Sequence, residues 1–247
     1  MATVQTGYNP SRISELMTDI KESYDQIGTA ISDGWPTVVD TMQREWIGAD
    51  EQSLEEAFAK RMCNLYSGSG EIVNALLANL RNAGEAWNKF QQDNIMEGAT
   101  NHSSSYNVDE LKVTVNENII EYRQRDISDS DDRGLTNGNA SASAIQGAMD
   151  TYMSNIKSKI SSLYESINAS EAFVGQTQST SIKEYIETIG EGLGTVTTAA
   201  EDIYQALETL INANYGSAES NVSEEYNSSK AQGEIDSAID SSMKWHA

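Results

Sequence analysis

The sequence predicts a mainly α-helical protein, in which two antiparallel helical hairpins form a four-helix bundle with a small β-hairpin inserted between them. Only two prolines, Pro10 and Pro36, interrupt the 247 residues, so long helices meet few breaks. Good helix formers such as alanine, glutamate and glutamine are frequent. Apolar residues also recur every three or four positions in four long segments, which is the spacing of one buried helix face.

The first predicted helix begins near Asn9. Asn9 is a candidate N-cap, and Pro10 occupies the first helical position, where a missing N–H costs nothing. The apolar positions that follow are Ile13, Leu16, Ile20, Tyr24, Ile27 and Ile31. We expect a kink or break at Gly34-Trp35-Pro36, because Pro36 removes an intrahelical hydrogen bond and disfavours the α region for Trp35.

A turn at Trp46-Ile47-Gly48 separates the first helix from the second, and Asp50-Glu51 is an acidic helix start. The apolar positions of the second helix are Leu54, Phe58, Met62, Leu65, Ile72, Leu76, Leu80, Ala83, Trp87 and Phe90, with Gly68 and Gly70 as weak points. Two long helices joined by a short turn must lie antiparallel to bury their apolar faces. Residues 9–98 are therefore predicted to form the first helical hairpin.

Residues 99–139 form a polar insertion, rich in serine, asparagine, aspartate and glycine. Within it, residues 111–115 alternate apolar and polar side chains, residues 116–118 have turn chemistry, and residues 119–122 favour β structure. A small β-hairpin is expected here. It must pack on the helices, because an isolated hairpin is only marginally stable.

Residues 140–216 are predicted to form the second hairpin. The apolar positions of its first helix are Ile145, Met149, Tyr152, Ile156, Ile160, Leu163 and Ile167. Those of its second helix, from about Ser181 to Tyr215-Gly216, are Tyr185, Ile189, Leu193, Val196, Ala200, Ile203, Leu207 and Leu210. Residues 217–247 form an acidic tail, in which Ile235, Ile239 and Met243 indicate a short amphipathic helix that needs a docking surface.

The two hairpins repeat one pattern at an offset of 127 residues. The aligned turns are Trp46, Ile47 and Gly48 in the first hairpin and Phe173, Val174 and Gly175 in the second. The aromatic ring is expected to be buried at the end of its hairpin, while the glycine takes a backbone conformation closed to larger residues. Such a ring is ordinarily core packing, and its recurrence in both halves indicates an internal repeat.

The helix, Trp-x-Gly turn and second helix of residues 9–98 resemble the W-x-G (WXG superfamily, early-secreted-antigen-like) proteins that type VII secretion systems export. Residues 141–219 resemble a second copy, with Phe173 in place of tryptophan. Members of the family pair as antiparallel four-helix bundles, so the resemblance implies that the two hairpins of this chain form an internal, tandem version of that dimer. One hairpin alone would leave an apolar face uncovered.

The resemblance also implies an export signal of the form Tyr-x-x-x-Asp/Glu after the second helix. Tyr215 and Glu219 hold the corresponding place, and Tyr204 with Glu208 is a second candidate. Other pairs with this spacing are Tyr106 with Glu110 and Tyr122 with Asp126. The first half lacks the signal, since the matching positions there are Trp87 and Gln91.

The charge balance argues against nucleic acid and anionic membranes as partners. The chain carries 16 basic and 38 acidic residues, a net charge of −22, which repels phosphate groups. No run of about 18 apolar residues is present to insert into a membrane. The expected partners are other proteins or further copies of the chain in a homo-oligomer.

No pattern of residues predicts catalysis, a metal site or a cofactor. His102 lies in a polar loop, His246 lies beside the last residue, and Cys63 lies in an apolar helical stretch, so nucleophile–base and zinc spacings are both missing. The acidic loop at Asp129 resembles a calcium loop, but Arg133 stands at a ligand position. The sequence therefore predicts no enzyme, no metal and no cofactor.

The expected function is that of a W-x-G-like interaction or structural protein, acting through helix surfaces as a substrate of type VII secretion. The first residues contain no basic region and no apolar stretch, so we expect secretion without a cleavable signal peptide, after a period in the cytoplasm. The alternative is a structural subunit of a larger extracellular assembly, such as a virion, a filament or a surface layer.

Overall fold

The computed structural model describes residues 7–94, 111–122, 124–127, 134–168, 172–174 and 198. Their elements are, in order, β1 (Gly7–Tyr8), α1 (Pro10–Glu45), β2 (Trp46–Ile47), α2 (Ala49–Asn94), β3 (Gly134–Leu135), α3 (Gly138–Asn168) and β4 (Phe173–Val174). These helices contain 36, 46 and 31 residues, so the predicted mainly helical class is confirmed. Of the fourth predicted helix only residue 198 is described, and the four-helix bundle stays a prediction.

The described residues divide between two compact units. The first unit contains residues 7–27, 67–94, 111–115, 158–168 and 172–174, and the second contains residues 28–66, 116–122, 124–127, 134–157 and 198. In the first unit β1 pairs antiparallel with β4, and in the second unit β2 pairs antiparallel with β3. In the first unit, therefore, the residues before α1 lie beside the residues after α3. In the second unit, the residues before α3 lie beside the residues after α1.

Helix α1 begins where the sequence predicts. The side-chain Oδ1 of Asn9 accepts a hydrogen bond from the N–H of Arg12 at 3.1 Å, and its carbonyl accepts one from Ile13 at 3.0 Å. Pro10 is the first helical residue, so its missing N–H removes no helical bond. The predicted apolar positions are all buried, namely Ile13, Leu16, Ile20, Tyr24, Ile27 and Ile31.

The sequence predicts a kink or break at Gly34-Trp35-Pro36, and helix α1 continues through Pro36 to Glu45, so a break is not present. In the second unit the hydroxyl of Tyr152 donates to the carbonyl of Ile31 at 3.0 Å, which joins α3 to this part of α1. Trp35 and Val38 are buried on either side of the proline. Burial contributes about 1.5–3 kcal/mol for each such side chain and offsets the roughly 3 kcal/mol that an interior proline costs.

Helix α2 begins at Ala49, directly after Gly48, in agreement with the acidic start predicted at Asp50-Glu51. Gly48 has a φ of 141°, a conformation that favours glycine, as the turn prediction requires. The short connection between α1 and α2 is therefore a two-residue strand followed by one glycine.

Within the first unit, part of the predicted face of α2 is exposed. Phe90 is 47% exposed and Ile72 is half-buried, although the spacing predicted both in the core. Gly68 and Gly70, the predicted weak points, lie inside a continuous helix. A methyl group at Gly70 would meet the hydroxyl of Tyr24, so this glycine allows α1 and α2 to approach closely.

Residues 111–122 contain no strand, so the β-hairpin predicted there is not formed. In the first unit the backbone of Val113 is instead held by the side chain of Asn74, with Val113 N–H to Asn74 Oδ1 at 2.9 Å and Asn74 Nδ2 to the Val113 carbonyl at 3.1 Å. An amide side chain on α2 thus takes the place of a strand partner. The predicted turn is present in the second unit, where the N–H of Asn118 donates to Oδ1 of Asn116 at 2.9 Å.

Helix α3 carries the apolar face predicted for the third helix. Its buried positions include Ile145, Met149, Tyr152, Ile156, Ile160 and Leu163. Strand β3 and the first residues of α3 lie within residues 99–139, which the sequence assigned to the insertion. Helix α3 therefore begins two residues before the predicted boundary at residue 140.

Candidate functional site

Trp46 and Phe173 each follow a helix and each begin a two-residue strand. In the second unit β2 pairs with β3, which places Trp46 opposite Leu135 and Ile47 opposite Gly134. In the first unit β4 pairs with β1, which places Phe173 opposite Tyr8 and Val174 opposite Gly7. We call these two strand pairs the aromatic corners. In both corners the aromatic residue faces a strand that directly precedes the other helix and begins with glycine.

The same backbone hydrogen bond closes both corners. In the first unit the N–H of Asn9 donates to the carbonyl of Ala172 at 2.8 Å, and in the second the N–H of Thr136 donates to the carbonyl of Glu45 at 2.9 Å. Asn9 and Thr136 are separated by the same 127 residues that separate Glu45 from Ala172 and Trp46 from Phe173. The two corners are thus equivalent in sequence offset, pairing and hydrogen bonding.

The aromatic rings of both corners are buried, as the turn pattern predicts. Trp46 is 0% exposed and Phe173 is 2% exposed, while Ile47, the next residue after Trp46, is 42% exposed. Gly134, which lies opposite Ile47, has a φ of 136°. Only glycine adopts that conformation without strain, so the partner strand also depends on its glycine.

A second aromatic cluster lies in the second unit, and the sequence did not predict it. The ring centroids of Trp35 and Phe58 are 5.8 Å apart, and Tyr152 of α3 lies 6.3 Å from Trp35 and 6.1 Å from Phe58. A methyl group at Gly34 would lie 2.5 Å from Cδ2 of Tyr152. Gly34 therefore forms a notch in α1 that receives the Tyr152 ring. The signal that could have found it is Gly34 beside Trp35, which was interpreted only as a kink or break in the helix.

Polar contacts at the second-unit corner involve Glu45. Its Oε2 accepts a hydrogen bond from the hydroxyl of Ser141 at 2.7 Å, and its Oε1 lies 2.8 Å from Nε of Arg44. These contacts lower the pKa of Glu45, with the Ser141 hydrogen bond as the largest cause. The end of α1 is thus joined to the start of α3 by a carboxylate that is stabilised in its charged form.

Glu55, also in the second unit, has the opposite environment. Burial raises the pKa of Glu55, and the hydrogen bond from Nε2 of Gln43 at 3.0 Å only partly opposes that effect. Because α1 provides Gln43 and α2 provides Glu55, this contact joins the two helices of the first hairpin near their turn.

We expect Glu45 and Glu55 to affect stability with opposite pH dependence. The lowered pKa of Glu45 means that its contribution is present above the unfolded carboxyl pKa and is lost as pH falls through the folded value. The raised pKa of Glu55 means that its contribution is present below the unfolded pKa and is lost as pH rises through the folded value.

Urea unfolding of Glu45→Gln and Glu55→Gln, measured from acidic to neutral pH, gives the free energy of unfolding of each variant as a function of pH. Relative to the unsubstituted chain, Glu45→Gln should lose stability as the pH rises, and Glu55→Gln should gain it. Each substitution is the control for the other, since both replace a carboxylate by an amide in the same unit. Two difference curves with the same slope would contradict the assignment.

At the first-unit corner, aromatic side chains of α2 lie against Tyr8. The rings of Tyr8 and Trp87 are stacked at 6.0 Å, and the Tyr8 hydroxyl donates to Oε1 of Gln91 at 3.2 Å. Phe90 meets Trp87 edge to face at 6.0 Å. Trp87 and Gln91 are the residues of the first half that correspond in sequence to the expected export signal of the second half. Here they hold the strand before α1.

Several predicted site residues lie outside the described residues: Gly175, Tyr204, Glu208, Tyr215 and Glu219. The export signal and the glycine of the second turn therefore stay predictions. Within the ranges that the structure describes, no three His, Cys, Asp or Glu side chains are grouped to hold a metal ion. Cys63 is a buried free thiol.

None of the described helices combines the length and the apolar character needed to cross a membrane. Comparisons of the chain with protein-family models, curated proteins and solved structures returned no match.

Proposed function

We propose that this chain is a non-enzymatic, W-x-G-like protein exported by a type VII secretion system, and that it acts on protein partners through its helix surfaces. Its two hairpins form the internal equivalent of the dimer that single-hairpin members of that family make. The tandem arrangement makes this pairing intramolecular, so it does not depend on the concentration of a second protein.

The equivalence of the aromatic corners carries the proposal. Each corner joins the aromatic turn of one hairpin to the residues that precede the first helix of the other, through the same antiparallel pairing and the same backbone hydrogen bond. Two unrelated hairpins are not expected to repeat the same strand pairing and backbone hydrogen bond at one fixed sequence offset. A duplicated hairpin that pairs with its own copy would repeat it, because a twofold arrangement uses each contact twice.

Secretion into the medium by cells with and without an intact type VII ATPase tests the export part of the proposal. We expect export of the full chain only with the ATPase, and loss of export in Tyr215→Ala. The matched control is Tyr106→Ala, which removes a tyrosine of the same Tyr-x-x-x-Glu spacing from the insertion and should leave export unchanged. Export that is independent of the ATPase would refute the proposal, and unchanged export of Tyr215→Ala would refute the signal assignment.

The alternative function is that of a structural subunit of a larger assembly, and the exposure of the Phe90 side chain favours it. This side chain is 47% exposed on α2, beside Trp87, where self-association would cover it. Light scattering over a range of protein concentrations tests this reading, with Phe90→Gln as the variant. A mass that rises with concentration, and does so less in Phe90→Gln, would favour the structural subunit. A constant mass would exclude it.

A further inference from the structure

A segment of the second unit without helix or strand lies on α2 and is held mainly by side chains of that helix. We call residues 116–122 and 124–127 the strap, and these residues contain neither helix nor strand. Sγ of Cys63 donates to the carbonyl of Ile120 at 3.5 Å, and Nε2 of Gln52 donates to the carbonyl of Arg125 at 3.2 Å. Ile120 and Cys63 are both buried. The strap therefore covers the only thiol of the chain.

Arg125 of the strap lies beside two buried carboxyl groups of α2. Its guanidinium donates to Oε2 of Glu51 and lies 3.8 Å from Oε2 of Glu55. Glu51 is 0% exposed and Glu55 is 2% exposed, and they lie one helical turn apart on α2. One arginine, whose side chain is one-third exposed, thus lies within ion-pair distance of two carboxyl groups that are removed from water.

Hydrogen bonding around this ion pair is incomplete. Oε1 of Glu51 and Nε of Arg125 are buried and have no hydrogen-bond partner within the described part of the chain. An ion pair that leaves buried donors and acceptors unsatisfied offsets little of its own desolvation cost. Detachment of the strap would hydrate Arg125 and the carboxylates together, and it would break few backbone hydrogen bonds. Such a segment opens at a lower free energy than the helices beneath it unfold.

We propose that the strap opens as a unit from α2, with Arg125 as its latch, and that opening exposes Cys63 to solvent while the helices stay folded. Opening of the strap would uncover the part of α2 that contains Gln52 and Cys63. It is independent of the proposed export and of the pairing of the hairpins.

Alkylation of Cys63 in the full chain by N-ethylmaleimide, followed by mass spectrometry, tests the proposal, because the chain has no other thiol. For the unsubstituted chain we expect a labelling rate that does not depend on urea well below the unfolding transition, as local opening requires. Labelling that occurs only in proportion to the unfolded population measured by circular dichroism would overturn the proposal.

Arg125→Gln tests the latch. It leaves Glu51 buried without its counter-charge, so we expect labelling to be faster by about tenfold or more. Lys112→Gln is the matched control, since it removes one positive charge at an exposed position outside the strap, and its rate should equal that of the unsubstituted chain.

The double variant Glu51→Gln, Arg125→Gln restores a neutral pair and should label more slowly than Arg125→Gln alone. Equal rates in Arg125→Gln and Lys112→Gln would overturn the role of Arg125. If Arg125→Gln does not fold, the urea dependence of the unsubstituted chain decides on its own whether the strap opens.

Discussion

Replacing Trp46 by alanine is expected to lower the free energy of unfolding by about 3–5 kcal/mol, as truncation of a buried aromatic side chain does. Trp46 is fully buried and begins β2, so its removal leaves a cavity where the end of α1 meets the strand before α3. The expected loss is a large part of the total stability of an ordinary domain, about 5–15 kcal/mol. Urea unfolding followed by far-UV circular dichroism measures it.

Ile47→Ala is the matched control for Trp46→Ala. Ile47 lies in the same two-residue strand, but its side chain is 42% exposed, so truncation should change stability by no more than about 0.5 kcal/mol. A loss below about 1 kcal/mol for Trp46→Ala would reject the core role of this ring. Similar losses for the two variants would show that the strand pairing, and not the ring, is the sensitive feature.

Gly34→Ala is expected to destabilise the protein by about 1–3 kcal/mol, although alanine is the better helix former. The added methyl group would lie 2.5 Å from Cδ2 and 2.9 Å from Cε2 of Tyr152, which real contacts do not tolerate. The ring of Tyr152 packs against both Trp35 and Phe58, and its hydroxyl donates a hydrogen bond to the carbonyl of Ile31, so it has little freedom to move. Overpacking should therefore outweigh the gain in helix propensity.

Gly147→Ala is the control for Gly34→Ala, because nothing lies within 4 Å of a methyl group built at that helical position. It should stabilise the protein by about 0.5–1 kcal/mol. Tyr152→Phe should not relieve the clash of Gly34→Ala, since the ring carbons remain. Tyr152→Ala should relieve it, so the double variant should cost less than the sum of the single variants. Stabilisation by Gly34→Ala would contradict the notch.

Features of the fold that depend on neighbouring residues were predictable from the sequence. The cap at Asn9, the start at Pro10 and the acidic start after Gly48 follow from hydrogen bonding within one turn of helix. The buried positions of α1 and α3 follow from helical spacing in the same way. In each case, the information lies within a few residues of the feature that it determines.

Features that depend on distant residues were missed or misassigned. Two-residue strands carry no periodic signal, and β1 and β4 become strands only because Tyr8 meets Phe173. The alternating pattern of residues 111–115 was real, but Asn74 of α2 is the partner of Val113, where a second strand was expected. Pro36 was interpreted as a kink or break because the sequence alone does not place Phe58 and Tyr152 beside Trp35, whose burial offsets the cost of the proline.

The candidate site was predictable in its aromatic residues and not in its partners. The repeat placed Trp46 and Phe173 at equivalent turns and predicted that both would be buried. That each turn would pair with a glycine-led strand before the other helix was not visible, because Gly7 and Gly134 have no distinguishing neighbours in sequence.

Nuclear Overhauser spectroscopy on the isotopically labelled full chain tests the equivalence of the two corners most directly. Cross-strand backbone contacts are expected between Tyr8 and Phe173 and also between Trp46 and Leu135, with slow amide exchange at both Asn9 and Thr136. Contacts and protection at one corner, with neither at the other, would show that the hairpins do not pair through a repeated contact, and the twofold account would be wrong.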